Sequence, residues 1–280
     1  RAGAAMTVTE SFDTIVLGAG QAGPFLAAKL VGQGRRVALI ESRELGGTCV
    51  NRGCTPTKTL RKSARVAYLA RRAAEFGVNV GKVEIDFGAA MRRMHQRVEQ
   101  SRAGLQAWLG GLEGLDIVRA HGRLAGRDGE QFLVKAGERT LRAPNVVLNT
   151  GTRPLIPPIP GLSGQPHLDN ESLLQLSELP RKLVIIGGGY ISLEMAQIFR
   201  RLGSQVAIVE TGPRLTARED ADVSIAVADM LRAEGIDIFT GQTINAVRPG
   251  ETEGGACVEL ADGRVIGGSH LLVATGRAPN

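Results

Sequence analysis

The feature that most constrains this chain is a glycine turn that occurs twice, each time between an apolar run and a helix-like stretch. The first copy reads Asp13-Thr-Ile-Val-Leu, then Gly18-Ala-Gly20-Gln-Ala-Gly23, a helical stretch through Leu30, Arg36-Val-Ala-Leu-Ile, and Glu41. The second reads Lys182-Leu-Val-Ile-Ile, then Gly187-Gly-Gly189-Tyr-Ile-Ser192, a helix through about Leu202, Gln205-Val-Ala-Ile-Val, and Glu210. Glu41 stands 23 residues after Gly18, and Glu210 stands 23 after Gly187. Each copy reads as strand, tight turn, helix and strand, with an acid closing the second strand. Alternation of this kind predicts an α/β fold with two Rossmann-like units.

Such a turn does three physical jobs. Its first glycine makes the bend, its second lets the backbone approach a pyrophosphate, and its third lets helix and strand pack closely. The anion then rests on unpaired N–H groups at the helix N-terminus. The acid accepts hydrogen bonds from ribose hydroxyls. Two cradles imply two dinucleotides. Ser192 replaces the third glycine of the second copy and is small enough to preserve the packing. A carboxylate at Glu210 repels a 2′-phosphate, which favours NADH over NADPH, and nearby Arg214 weakens that preference.

A second echo ends each unit. Asn145-Val-Val-Leu-Asn-Thr150-Gly151-Thr-Arg-Pro154 resembles His270-Leu-Leu-Val-Ala-Thr275-Gly276-Arg-Ala-Pro279. The first unit carries about 44 extra residues between turn and echo, placed roughly at 45–95 and including a helix from about Thr57 to Phe76. Proline-rich Arg153–Pro160 excludes regular helix and central strand, and marks the boundary. The expected organisation is a flexible N-terminus at 1–11, a first dinucleotide domain at 12–152, a second at 153–274, and a return toward the first at 275–280. Met6 reads as the native start, with the five residues before it an added remnant or upstream sequence.

Composition removes other classes. The net charge of +6 is spread over scattered arginines, with no basic concentration and few aromatics to stack on bases, so no nucleic-acid partner is expected. No run of eighteen apolar residues predicts a membrane span, and the N-terminus lacks the apolar core of a signal peptide. Three cysteines do not make a secreted framework, so the expected location is cytoplasmic. His95, His121, His167 and His270 have no ligand spacing, and no metal site is expected. Arg61–Arg72 reads as an amphipathic helix with Leu60, Ala64, Ala67 and Leu69 inward. Asp220 and Asp222 are expected to start a helix, where acids favour the macrodipole.

Gly46-Gly-Thr-Cys49-Val-Asn-Arg-Gly-Cys54-Thr-Pro-Thr-Lys58 carries the chemistry. A disulfide between cysteines with four residues between them would close a small loop and add little stability, which counts against a purely structural role. A stabilising disulfide or two free thiols stay open as alternatives. Pro56 and the pattern after it place Cys54 near a helix N-terminus, where the dipole favours a thiolate, with Lys58 one turn further on. Cys257 stands alone in a β-like stretch as an ordinary, partly buried thiol.

Together, residues 13–23, 46–58, 145–154, 183–194 and 271–280 resemble the pyridine nucleotide–disulfide oxidoreductases, which include glutathione reductase, dihydrolipoamide dehydrogenase and mercuric reductase. The resemblance implies FAD in the first unit and NADH or NADPH in the second. It implies that Gly18, Gly20, Gly23 and Glu41 bind the adenosine diphosphate part of FAD. Gly47, Thr48 and Lys58 then lie beside the flavin, Gly122 at its adenine, and Thr150 and Gly151 on its flavin side. Gly187, Gly189, Tyr190, Glu194, Glu210 and Gly276 fall to the nicotinamide nucleotide, with Tyr190 as a ring that swings aside. Cys49 and Cys54 form the redox pair, Cys54 facing the flavin and Cys49 meeting the acceptor, with Lys58 and Glu194 completing the catalytic set.

The Cys-Thr-Pro-Thr-Lys run looks closest to mercuric-reductase-like members, with a disulfide, metal ion or quinone as acceptor and a homodimer as the full-length form. The family's pattern continues past residue 280 with a Gly-Asp motif and an interface domain. Its histidine is the acid–base partner of the interchange thiol, so that role falls to no residue here. Two further readings stand beside the enzyme: a flavin-binding redox sensor without efficient turnover, and a reductase that uses flavin alone.

Overall fold

The computed structural model describes residues 9–251 and 254–280. Six α-helices are present among them: α1 (Gly23–Val31), α2 (Gly47–Arg52), α3 (Cys54–Arg71), α4 (Phe87–Gly110), α5 (Tyr190–Leu202) and α6 (Ala221–Ala233). None is long and apolar enough to cross a membrane. The chain divides into two compact units. One comprises residues up to Thr55, Gln96–Thr152 and Pro279–Asn280; the other comprises Pro56–His95 and Arg153–Ala278.

The first unit is built on a parallel four-stranded sheet in the order Leu115–Arg119, Val37–Glu41, Thr14–Leu17, Asn145–Leu148. Thr14–Leu17 is buried throughout, as a central parallel strand must be. One face packs Val16 and Leu39 against Ala27 of α1 and Leu105 and Leu109 of α4. The other packs Ile15, Leu17 and Ile40 against Val134, Ala136 and Leu141 of an antiparallel meander over Gly122–Asp128, Gln131–Ala136 and Arg139–Ala143. Thr9–Ser11 falls in the segment expected to be flexible but is a strand, parallel to Arg139–Ala143. The reason is local. Arg139 binds Glu10 through Nε at 2.7 Å and Nη2 at 2.6 Å, and reaches Asp116 at 2.5 Å. The other residues of that segment, including Met6, lie outside the described residues.

The second unit repeats the plan. Its parallel sheet runs Asp237–Phe239, Gln205–Val209, Lys182–Ile186, His270–Val273, and its meander runs Ile244–Pro249, Ala256–Leu260, Val265–Gly268. Val184, Ile186, Ala207 and Val209 pack against Val247, Val258 and Ile266. α6 follows the acid-bearing strand, and Asp220 is its N-cap residue. After Val37–Glu41 the chain runs instead through α2, α3 and α4 before the next strand of that sheet, Leu115–Arg119. The helix expected over Thr57–Phe76 is α3 followed by a 3-10 turn at Ala73–Phe76. Leu60, Ala64 and Ala67 are buried on α3, but Leu69, about two and a half turns from Leu60, falls on the opposite face and is exposed.

Candidate active site

Both glycine turns are shaped by the strand that ends beside them. A Cβ on Gly18 would lie 2.2 Å from the Asn149 carbonyl oxygen, and its φ is +103°, so only glycine fits there. A Cβ on Gly23 would meet the Gly18 carbonyl at 2.2 Å, which is the close helix–strand approach expected of a third glycine. α2 begins against Gly20, since a Cβ on Gly47 would lie 2.7 Å from the Gly20 Cα. Glu41 accepts from the Ala19 N–H at 2.8 Å and the Arg43 N–H at 2.7 Å, which puts its carboxylate beside the turn.

The second turn follows the same rules with different residues. A Cβ on Gly187 would meet the Ala274 carbonyl at 2.5 Å. Glu210 accepts from the N–H groups of Gly188 and Gly212. Gly188 was not among the residues expected to matter. A Cβ there would lie 2.7 Å from Glu210 Oε2 and 2.9 Å from Leu215 Cδ2, so the acid grips this residue as Glu41 grips Ala19. A Cβ on Gly189 would meet nothing within 4 Å. No internal packing demands a glycine there, and the open space is what an approaching pyrophosphate needs. Both turns therefore fit a dinucleotide.

The repeat extends past the acids. Gly46 donates its N–H to the Ala19 carbonyl at 2.8 Å, and Thr216 donates its N–H to the Gly188 carbonyl at 2.9 Å. Each follows a buried leucine, Leu45 or Leu215, and each has positive φ, +93° at Gly46 and +45° at Thr216. Arg214 donates to the carbonyls of Ala217 and Glu219, both at 3.2 Å, so it is engaged within its own loop.

In the first unit, Cys49 and Cys54 are joined as a disulfide. Cys49 lies on α2 and Cys54 is the first residue of α3, which places it where the helix dipole favours a thiolate. Gly53 permits the tight return between the two helices, since a Cβ there would lie 3.0 Å from the Thr48 carbonyl. Asn51, inside the loop, donates to the carbonyls of Leu45 and Gly47, both at 2.9 Å. Its own side-chain oxygen accepts from Arg102 Nε at 3.0 Å. The Arg52–Glu44 ion pair braces the same stretch. Neither Gly53 nor Asn51 was singled out from sequence, although both stand between the two cysteines.

In the second unit, Lys58 Nζ is hydrogen-bonded to Glu194 Oε1, bringing together two residues 136 apart in the chain. Tyr190 opens α5 and is 71% exposed. Gly276 has a φ of +130° and accepts from the Leu155 N–H at 3.0 Å. In the first unit, Thr150 and Gly151 hold Asn280 through their carbonyls, at 2.8 Å and 3.2 Å. Thr48 is exposed on the first turn of α2. A Cβ on Gly122 would lie 2.5 Å from Leu17 Cδ2, so core packing alone requires its small size. Cys257 is a half-buried free thiol on its own strand. Among the described residues, no group of three His, Cys, Asp or Glu could hold a metal.

Two glycine turns gripped by acids, with a disulfide at the head of a helix, define a dinucleotide-binding redox protein. Residues 12–280 match the pyridine nucleotide-disulphide oxidoreductase family, and the chain belongs to it. It is 35% identical over 275 residues to a dihydrolipoyl dehydrogenase of Chlorobaculum tepidum, covering 96% of this chain and 58% of that one. It is 36% identical over 272 residues to a mercuric reductase of Streptomyces lividans, covering 95% and 56%. Among solved structures it resembles the HOCl-induced flavoprotein disulfide reductase RclA of Escherichia coli, with a TM-score of 0.82, 32% identity, and coverage of 96% and 57%. The chain thus spans a little over half the length of these relatives.

Proposed function

We propose that this chain carries the nucleotide-binding and redox centre of an NAD(P)H-dependent flavoprotein disulfide reductase. The observation that carries this reading is the Cys49–Cys54 disulfide at the head of α3, in a chain with two acid-gripped dinucleotide turns. Gly18, Gly20, Gly23 and Glu41 would hold FAD, with Gly47, Thr48, Gly122, Thr150 and Gly151 along it. Gly187, Gly189, Tyr190, Glu194, Glu210 and Gly276 would hold the nicotinamide nucleotide. When bound, the two cofactors supply hydride transfer from nicotinamide to flavin.

The protein's own residues do the rest. The Cys49–Cys54 bond takes up two electrons and breaks, leaving Cys54 as a thiolate steadied by the α3 dipole and by Lys58. Cys49 is released as the other thiolate, rests as a thiol when it takes up a proton, and attacks or ligates the acceptor only in its thiolate form. Glu194 holds the Lys58 ammonium in place. The acceptor is a small disulfide, a metal ion or a quinone. The Cys-Thr-Pro-Thr-Lys run favours a mercuric-reductase-like choice, while dihydrolipoyl dehydrogenase and mercuric reductase relatives match at nearly equal identity. The full-length protein is read as a homodimer. NADH is the favoured donor, because both Glu210 oxygens face backbone N–H groups at the turn and Arg214 is held by its own loop.

The test is spectroscopic. The FAD-loaded chain, reduced by two electrons, is expected to show a long-wavelength thiolate-to-flavin absorption that Cys54→Ser abolishes and Cys49→Ser retains. A Cys54→Ser variant that keeps the band would overturn the assignment. Faster flavin reduction by NADPH than by NADH would overturn the donor preference.

A further inference from the structure

The two turns are braced from behind by different residues. In the first unit Asn149, the residue before Thr150, sends Nδ2 to the Gly18 carbonyl at 3.0 Å. The same nitrogen lies 3.0 Å from where a Cβ on Gly23 would be, and 3.6 Å from where one on Gly20 would be. One side-chain amide therefore sits against all three glycines of the turn. In the second unit the equivalent position is Ala274, whose carbonyl faces Gly187 as the Asn149 carbonyl faces Gly18. Ala274 has no polar group to offer. There Ser192 stands in the third-glycine place, fully buried, with its hydroxyl unpartnered among the described residues. The second turn is thus filled from the helix side, and the first is tied down from the strand side.

We propose that Asn149 is a positioning residue for the first dinucleotide, fixing the Gly18 carbonyl and with it the orientation of the N–H groups that receive the FAD pyrophosphate. This rests on the assignment of FAD to the first turn. The strand end follows Thr14–Leu17 in register, since the Asn149 N–H donates to the Leu17 carbonyl at 2.7 Å. The brace is therefore anchored by backbone before its side chain acts. A donor at this point offsets a carbonyl that would otherwise turn its negative end freely within a turn meant for an anion.

The test titrates the apo form of the 280-residue chain with FAD, reading flavin fluorescence, and compares wild type with Asn149→Ala and Asn149→Asp. Alanine is native at the equivalent position 274, so this variant introduces a side chain that the second turn already tolerates. It is expected to weaken FAD binding about fivefold, the size of one neutral hydrogen bond. Aspartate has the same shape but, ionised, sets a carboxylate against the Gly18 carbonyl and the bound pyrophosphate. It is expected to weaken binding about fiftyfold or more, easing as the pH falls toward the carboxylate range. NADH affinity is expected to be unchanged in both.

Aspartate or alanine variants that bind FAD within twofold of wild type would overturn the role of Asn149. So would a loss for aspartate no greater than for alanine, which is the signature of space-filling alone. A wild-type chain that fails to bind FAD would overturn this inference together with the assignment of the first turn. Variants that fail while wild-type binding stands would leave the assignment intact.

Discussion

Thr216 occupies, in the second unit, a position that the first unit gives to glycine. Gly46 and Thr216 each donate an N–H to the residue gripped by the acid, and both have left-handed φ. A β-branched residue there stores roughly 1–3 kcal/mol of strain. Thr216→Gly relieves it and returns roughly 0.4–1 kcal/mol to the unfolded chain as entropy. The expected net gain is about 1 kcal/mol, or a melting temperature roughly 2–4 °C higher. An unchanged or lower midpoint in calorimetry would show that the surroundings already compensate the strain. The reverse change, Gly46→Thr, is expected to destabilise, because its Cβ would lie 2.5 Å from the Val50 side chain. The spacing of the glycines and acids was legible in sequence because it follows from one rigid strand–turn–helix unit. The roles of Thr216, Asn149 and Asn51 were not. Each depends on a contact with a residue that only the folded chain brings near, such as Gly18, 131 residues from Asn149.

In the second unit two carboxylates, Asp169 and Glu234, each gather several donors. Asp169 caps the 3-10 turn Ser172–Gln175, accepting from the N–H groups of Glu171 and Ser172, both at 2.8 Å, and from the Ser172 hydroxyl at 3.0 Å. Burial pushes its carboxyl up, but these donors outweigh burial and hold it below its ordinary value of 3.8. A depressed folded pKa means the stabilisation is complete above 3.8 and is lost as pH falls through the lower folded value. Asp169→Asn is therefore expected to be less stable than wild type at neutral pH, with the gap closing below pH 3.8. Melting curves across that window check it, and a gap independent of pH would refute the linkage. Glu234 acts otherwise. It pairs with Arg201 at 2.6 Å and accepts from Gln197 at 2.9 Å, fastening α5 to the end of α6, and the Arg201 and Glu234 side chains are only 11% and 9% exposed. Glu234→Ala strands a buried guanidinium and is expected to cost about 3 kcal/mol in urea unfolding. A loss below about 1 kcal/mol would mean that water replaces the carboxylate.

Across the whole molecule, the same plan is executed twice: four parallel strands, a three-stranded meander on one face, and an acid-gripped turn. The parallel strands were legible because they are short apolar runs buried on both faces. The meanders were not, because their strands carry little alternation. Gly122–Asp128, for example, is exposed from its second residue onward and so has no apolar period to detect. Helix α3 was foreseen to within a few residues, yet sequence left open whether its first cysteine was bonded to Cys49. Spacing alone does not decide between a disulfide and two thiols, because a loop this small gains little from closure. The structure does decide, with Cys49 and Cys54 bonded and Cys257 free. Alkylating the chain in denaturant without reductant is therefore expected to label one thiol, Cys257, and labelling after reduction is expected to find all three cysteines. Mass spectrometry of the intact chain reads both numbers. Three labels before reduction, from protein kept from added reductant, would mean that the resting pair is the dithiol. Peptide mapping that pairs Cys257 with either partner would break the redox couple on which the functional reading depends.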